Sequence, residues 1–274
     1  MPRGLRNLLP ALLLLLPQAP GLAQDLPIFD AHIHYSQPDW SVYPPETALA
    51  VLDRAGVRWA MVSSTPDDGT LRLYEKAPAR IVPILRPYRT RNDMGSWAND
   101  PVILSYVEGR LQRGTYRGIG EFHLDAAETN TAVVRGFVQL GIRRSIFLHA
   151  HTDDAGVETL LRLDPKVRVL WAHAGMSAGP DTVGRLLDRY PTLTVELALR
   201  YDVAPGGRLD PAWRNLFLRH PDRFMVGTDT WVTSQWDRLP EIQTGIRAWL
   251  RQLPPEVEAK LAFKNAARLT KMTP

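Results

Sequence analysis

Phe29-Asp30-Ala31-His32-Ile33-His34 closes a short apolar run that begins at Leu26, and it carries two histidines one residue apart. In a strand, side chains at i and i+2 share a face, so His32 and His34 are aimed at one point. Asp30 is expected on that face too. Such a pair is either a chance feature of a surface strand or the first of several ligands converging from neighbouring strands. The rest of the chain decides between the two.

Seven further apolar, β-rich runs follow the first (26–34), at 57–63, 81–85, 116–122, 145–149, 167–173, 193–199 and 223–228. Amphipathic stretches separate them. Pro44-Pro45-Glu46 opens a helix that runs to Ala55 and ends at Gly56, with prolines where a first turn tolerates them. Further helices are expected over 71–76, 101–112, 131–140 (closed by Gly141), 155–163, 180–190, 211–219, 239–253 and 256–269, with a polar loop over 90–99. Eight strand-then-helix units in about 250 residues predict an α/β fold, a (β/α)8 TIM barrel. A doubly wound open sheet is the rival, weakened because no glycine-rich phosphate fingerprint follows the first strand. No low-complexity linker divides 24–274, which is read as one domain.

The 274 residues are 45% hydrophobic and 23% charged, as in ordinary globular proteins. There is no cysteine, which excludes disulfides, thiolate metal sites and a cysteine nucleophile. Residues 1–23 read as a secretory leader: Arg3 and Arg6 form a basic start, Leu8 to Leu16 an apolar core, and Gly21-Leu22-Ala23 a cleavable end. The core is shorter than the roughly 20 residues a membrane span needs, and an exported chain, periplasmic or secreted, is expected with no membrane attachment once the leader is cleaved. Removing two arginines takes the net charge from 33 − 29 = +4 to 31 − 29 = +2. That is too small a basic balance to suggest a nucleic-acid partner; a small-molecule substrate is expected.

In a barrel of this kind, chemistry sits at the C-terminal ends of the strands, where the loops into the helices begin. Six of the seven histidines fall at or near those ends, and only His220 lies on a helix end. The first strand ends in His32 and His34, the fourth in Glu121 and His123, the fifth in His149 and His151, the sixth in His173, and the eighth in Asp229. Imidazoles and carboxylates converging on one point suit a zinc-type or manganese-type ion with a position left open.

These motifs, in this order, resemble the amidohydrolase superfamily, in its amidohydrolase-related or TatD-like branch of metal-dependent hydrolases. The resemblance is carried by Asp30-Ala31-His32-Ile33-His34, Gly118-Ile119-Gly120-Glu121, His149, His173-Ala174-Gly175, Gly227-Thr228-Asp229 and Asn265-Ala266-Ala267-Arg268-Leu269. It implies that His32, His34 and Asp229 bind one ion, and that His149 and His173 bind a second or complete a single site. Lysine occurs only at 76, 166, 260, 264 and 271, none at an active-face strand end, so a bridging lysine carbamate is excluded. Glu121 stands there instead, as in TatD-like members.

The implied cofactor is one or two divalent ions, Zn²⁺ first and Mn²⁺ second. The implied reaction is hydrolysis of an amide, lactone, ester or related C–N or C–O bond, with Asp229 as ligand and general base, and with the metal, or His173 in a one-metal site, polarising the scissile group. Asp30 would support the histidines. Arg86, Tyr88, His151, Glu196, Arg200 and Trp231 are placed where they could meet substrate. A decarboxylase of the same superfamily and a non-enzymatic exported metal-binding barrel are the alternatives.

Overall fold

The computed structural model describes Met1 and residues 26–273; the leader expected over 1–23 lies outside the described residues. Eight strands, β1 (Ile28–His34), β2 (Val57–Ser63), β3 (Ile81–Leu85), β4 (Gly118–His123), β5 (Phe147–His151), β6 (Val169–Trp171), β7 (Leu193–Glu196) and β8 (Phe224–Met225), pair in parallel in chain order. The Ala31 N–H donates to the Val226 carbonyl at 2.9 Å and the Asp229 N–H to the His32 carbonyl at 2.7 Å. Those bonds bring the last strand round to the first, giving a nearly closed (β/α)8 barrel.

The outer ring is α1 (Pro45–Arg54), α2 (Asp68–Lys76), α3 (Pro101–Leu111), α4 (Ala132–Arg144), α5 (Asp154–Leu163), α6 (Pro180–Arg189), α7 (Pro211–Arg219) and α8 (Gln235–Leu250). The tail folds as α9 (Pro255–Ala259), a π-helical segment Lys260–Lys264, and α10 (Asn265–Thr270). None of the described helices is long and apolar enough to cross a membrane.

Apolar residues form two bodies. Outward-facing Ile33, Val62, Ile119, Phe122, Val169 and Val195 pack under the helices with Trp97, Phe137, Trp213 and Phe217. Inward-facing Phe29, Trp59, Met61, Ile84, Phe147, Leu170 and Met225 fill the lower barrel. Ala266, Ala267 and Leu269 of α10 close that end. Asn265 pins α10 there, its Nδ2 donating to the carbonyls of Pro221 at 2.9 Å and Phe224 at 2.8 Å. With the bottom plugged by hydrocarbon, polar chemistry is confined to the opposite mouth.

Several local expectations are corrected. α4 runs through Gly141 to Arg144 and ends on Ser145 in the left-handed region (φ 55°). Gly141 instead lets the chain pass close beneath β5, since a Cβ there would stand 3.3 Å from the Ile146 carbonyl oxygen. The 90–99 loop holds two short 3₁₀ turns, Arg91–Gly95 and Trp97–Asn99. β6, β7 and β8 stop short of the expected ends because their last residues turn to make side-chain contacts, as the His173 N–H does with Glu196 and the Thr228 N–H with Asp30.

The most consequential correction concerns Asp30. Opposite Ala60–Val62 of β2, β1 spends one extra residue between Asp30 and Ile33, a β-bulge that shifts the alternation. Asp30 therefore does not share the face of His32 and His34. It accepts from Gln243 of α8 at 2.8 Å, from the Thr228 hydroxyl at 2.6 Å and from the backbone N–H groups of His32 and Thr228. Burial pushes its pKa up to about 6 against those bonds. Asp30 ties β1 to β8 and α8 behind the mouth.

Candidate active site

Five side chains meet at the mouth, from strands β1 and β4 and from the segments that follow β6 and β8. The Nε2 atoms of His32 and His34 are 3.1 Å apart. Asp229 Oδ1 lies 3.6 and 3.3 Å from them, and Glu121 Oε2 lies 3.5 and 3.2 Å away. His173 Nε2 completes the group, 3.4 Å from Glu121 Oε1 and 3.8 Å from Asp229 Oδ2. All five are buried.

The far nitrogen of each imidazole is tied to the barrel, which aims the near one inward. His34 Nδ1 is 2.8 Å from the Ser63 carbonyl, His32 Nδ1 is 3.0 Å from Glu196 Oε1, and His173 Nδ1 is 3.0 Å from the Ala198 carbonyl. Such bonds select the tautomer that leaves Nε2 as a ligand atom. His173 and Asp229 both occupy the left-handed backbone region, at φ 55° and 56°, a conformation held only where the surroundings over-determine it. Gly227 permits the close approach: a Cβ there would stand 2.8 Å from Glu196 Oε2 and 3.0 Å from the His32 Cβ.

The donor set fits a divalent cation. Atoms about 2.0–2.2 Å from a tetrahedral ion lie about 3.4 Å from one another, and the spacings of 3.1–3.6 Å among His32, His34, Glu121 and Asp229 bracket that value. His149 Nε2, His173 Nε2 and Asp229 Oδ1 are buried without a hydrogen-bond partner, a costly arrangement that a bound cation relieves for the atoms facing it. Charge agrees. Burial works against the charge on Glu121, yet His32, His151 and His173 hold its pKa well below the usual carboxylate range. Burial likewise opposes charge on His32, but Asp229, Glu121 and Glu196 outweigh it and raise its pKa well above normal. Three buried carboxylates crowd these imidazoles, and a cation neutralises that excess.

The remaining expected residues separate. His149 sits deeper: its Nε2 is 3.8 Å from Glu196 Oε1, its ring packs edge-on to His32, and burial pushes its pKa down to about 4. It is His151 that reaches Glu121 from β5, Nδ1 to Oε1 at 2.9 Å. Arg86 lies over Glu121, donating to Oε2 at 3.1 Å and to its carbonyl at 3.2 Å. Arg86, His123, His151 and the exposed Trp231 line a cavity of about 580 Å³ with Glu121 and Asp229. Arg200 is elsewhere: its guanidinium binds Asp202 and the carbonyls of His173, Ala174 and Ala178, bracing the turn that carries His173. Glu196 is fully buried and away from the cavity, accepting from the His173 N–H and the Ala198 N–H at 2.7 Å each. Its role in holding His32 and His173 was missed from sequence. A glutamate ending an otherwise apolar strand was the available signal.

Residues 138–270 match the family model described as Amidohydrolase; that segment holds His149, His151, His173, Glu196 and Asp229, while His32, His34 and Glu121 lie upstream. No curated protein is significantly similar in sequence. Among solved structures, the probable 2-pyrone-4,6-dicarboxylic acid hydrolase of Acinetobacter baumannii, crystallised with citric acid, superposes with a TM-score of 0.61 at 15% identity, over 89% of this chain and 99% of that one. An amidohydrolase from Burkholderia multivorans with bound HEPES gives 0.57 at 14% identity, over 90% and 100%. A TatD-family hydrolase of Entamoeba histolytica gives 0.53 at 11% identity, over 90% and 100%. At these identities the superpositions speak to the barrel, and the family match speaks to the strand-end residues of its second half. On those grounds residues 138–270 resemble the Amidohydrolase family, and the chain as a whole shares the barrel fold of these structures.

Proposed function

We propose that this protein is a metal-dependent hydrolase that directs water onto an amide, lactone or ester bond of a small molecule. The observation that carries the reading is the convergence of His32, His34, Glu121, His173 and Asp229, with buried ligand atoms on His173 and Asp229 that no protein group satisfies. His32, His34, Asp229 and Glu121 would hold the ion. When bound, a divalent cation supplies Lewis acidity, lowering the pKa of water and polarising the scissile group.

The protein's own groups do the rest. Asp229 holds a carboxylate at the edge of the cavity, ionised because His32 and His34 outweigh the burial that opposes its charge. It takes the proton of the attacking water and delivers it to the departing nitrogen or oxygen. His173, across the group from Asp229, directs Nε2 toward the oxygen that gains charge. Arg86, His151 and Trp231 line the cavity in which the substrate would lie. The deciding experiment assays purified protein, with its metal content known, against lactones, esters and amides before and after chelation. Hydrolysis with incorporation of solvent oxygen supports the reading; release of CO₂, or no turnover by the metal-loaded protein, overturns it.

A further inference from the structure

Three chain reversals meet at the closed end of the barrel, away from the mouth. α3, α4 and α10 arrive there by their C-termini, and the chain then turns through a left-handed residue at Gly114 (φ 71°), Ser145 (φ 55°) and Lys271 (φ 59°). Backbone bonds close two of those ends. The Ile146 N–H donates to the Gly141 carbonyl at 3.0 Å and the Met272 N–H to the Ala267 carbonyl at 2.9 Å, so the last helical carbonyls are satisfied by the chain itself. Arginines take up others. Arg144 donates to the Leu111 carbonyl at 3.1 Å, and Arg168 to the carbonyls of Ser145 at 3.4 Å and Leu269 at 3.0 Å.

Positive charge is left over. A cavity of about 190 Å³ lies between the three ends, lined by Arg117 before β4, Arg144 at the end of α4 and Lys271 after α10, with no carboxylate among its lining residues. Tyr116 on its wall gives its hydroxyl to Asp67, whose charge Arg110 balances at 2.8 and 3.0 Å. Neither Arg117 nor Lys271 has an ion-pair partner among the described residues. Arg168 beside them is half-buried with carbonyls as its partners, and burial lowers its pKa with no carboxylate opposing the effect.

We propose that this cavity is an anion site for a phosphate group, held by Arg117, Arg144 and Lys271. Its volume is below the roughly 300 Å³ of a metabolite pocket, so it admits an ionic group on a short stem. Three cations from three separate segments suit an anion with acceptor oxygens on several sides. Phosphate offers these and matches guanidinium forks, whereas a carboxylate faces only one fork. The bound group would tie α10, which plugs the barrel with Ala266, Ala267 and Leu269, to the wall at α3 and α4. That apolar layer separates the site from the mouth, so the inference stands or falls independently of the hydrolase reading.

The test titrates the purified protein with inorganic phosphate by calorimetry at constant ionic strength, beside thermal melts. Wild type is compared with Arg117→Gln, Lys271→Gln and Arg214→Gln, the last removing an exposed arginine of α7 outside the cavity. Melts in chloride alone check that each variant folds. Sedimentation with vesicles of phosphatidic acid, against phosphatidylcholine, tests a lipid headgroup as the source of the phosphate. Phosphate should bind wild type and Arg214→Gln and raise their melting temperatures as its concentration grows. Binding to Arg117→Gln and Lys271→Gln should be about tenfold weaker. Vesicle binding with the same pattern of variants assigns the site to a phospholipid headgroup; phosphate binding without vesicle binding assigns it to a soluble phosphate. No binding of either probe overturns the proposal. Equal affinity in all four proteins, or an equal loss in Arg214→Gln, also overturns it, by placing the anion elsewhere. Either cavity variant decides alone should the other fail to fold.

Discussion

Asp229 donates its backbone N–H to the His32 carbonyl at 2.7 Å, so the bond that closes the barrel also sets the carboxylate of Asp229 beside the imidazoles of His32 and His34. Barrel closure and site assembly are one event. Asp229→Asn keeps this backbone bond and the side-chain size while removing the charge that accepts a proton. Turnover should fall by about 10²–10⁴-fold with the melting temperature little changed, read from kcat beside a thermal melt. Near-normal activity would sink the base assignment.

Chelation should abolish hydrolysis, and Zn²⁺ or Mn²⁺ should restore it. Because the ligand atoms converge only in the folded barrel, the loaded protein should also melt higher than the chelated one, by an amount that grows with free metal. A chelated protein that melts and turns over like the loaded one excludes a functional ion.

Glu196 touches no substrate-facing surface, yet one of its oxygens holds His32 Nδ1 and the His173 N–H together. Glu196→Gln is nearly isosteric but trades charge for an amide. Metal affinity should drop by about 10–100-fold, measured by competition with a chromophoric chelator, and excess metal should restore most of the kcat. Unchanged affinity would mean the backbone alone positions the two histidines.

Gly227 is packed against Glu196 and His32 with no room for a methyl group. Gly227→Ala should destabilise the fold by about 1–3 kcal/mol, as overpacking does, and weaken metal binding along with it. Chemical denaturation and the same chelator competition measure both. A full-stability variant would show that β8 can retreat from β1 at no cost.

Asp93 organises the turn that places Arg91 and Met94 on the cavity wall, accepting from the Arg89 guanidinium and from the backbone N–H groups of Arg89 and Thr90. The hydrogen bonds from Arg89 lead in lowering its pKa, over a smaller opposing effect of burial. A lowered carboxylate pKa means stability that is present above the unfolded aspartate value, about 3.9, and lost as pH falls through the lower folded value. Asp93→Asn should therefore cost about 1 kcal/mol at neutral pH, with the difference from wild type shrinking as the pH drops below about 4. Urea melts across that range check the sign, and a pH-independent difference would contradict it.

What could be read from sequence was whatever repeats or stands at an element's end. Eight apolar runs between amphipathic stretches announced the barrel, because a buried parallel strand must be apolar on both faces and its crossover helix on one. The strand-end positions of His32, Glu121, His173 and Asp229 were legible for the same reason: a polar residue ending an apolar run marks the mouth. Which atoms meet was decided by tertiary structure. The extra residue in β1 turned Asp30 out to Gln243, and the extra residue in β4 set His123 opposite His151. On β5 the reach to Glu121 fell to His151, with His149 lower against His32 and Glu196. A period of two predicts faces only while the ladder stays in register, and a bulge becomes visible only when the neighbouring strand is paired beside it.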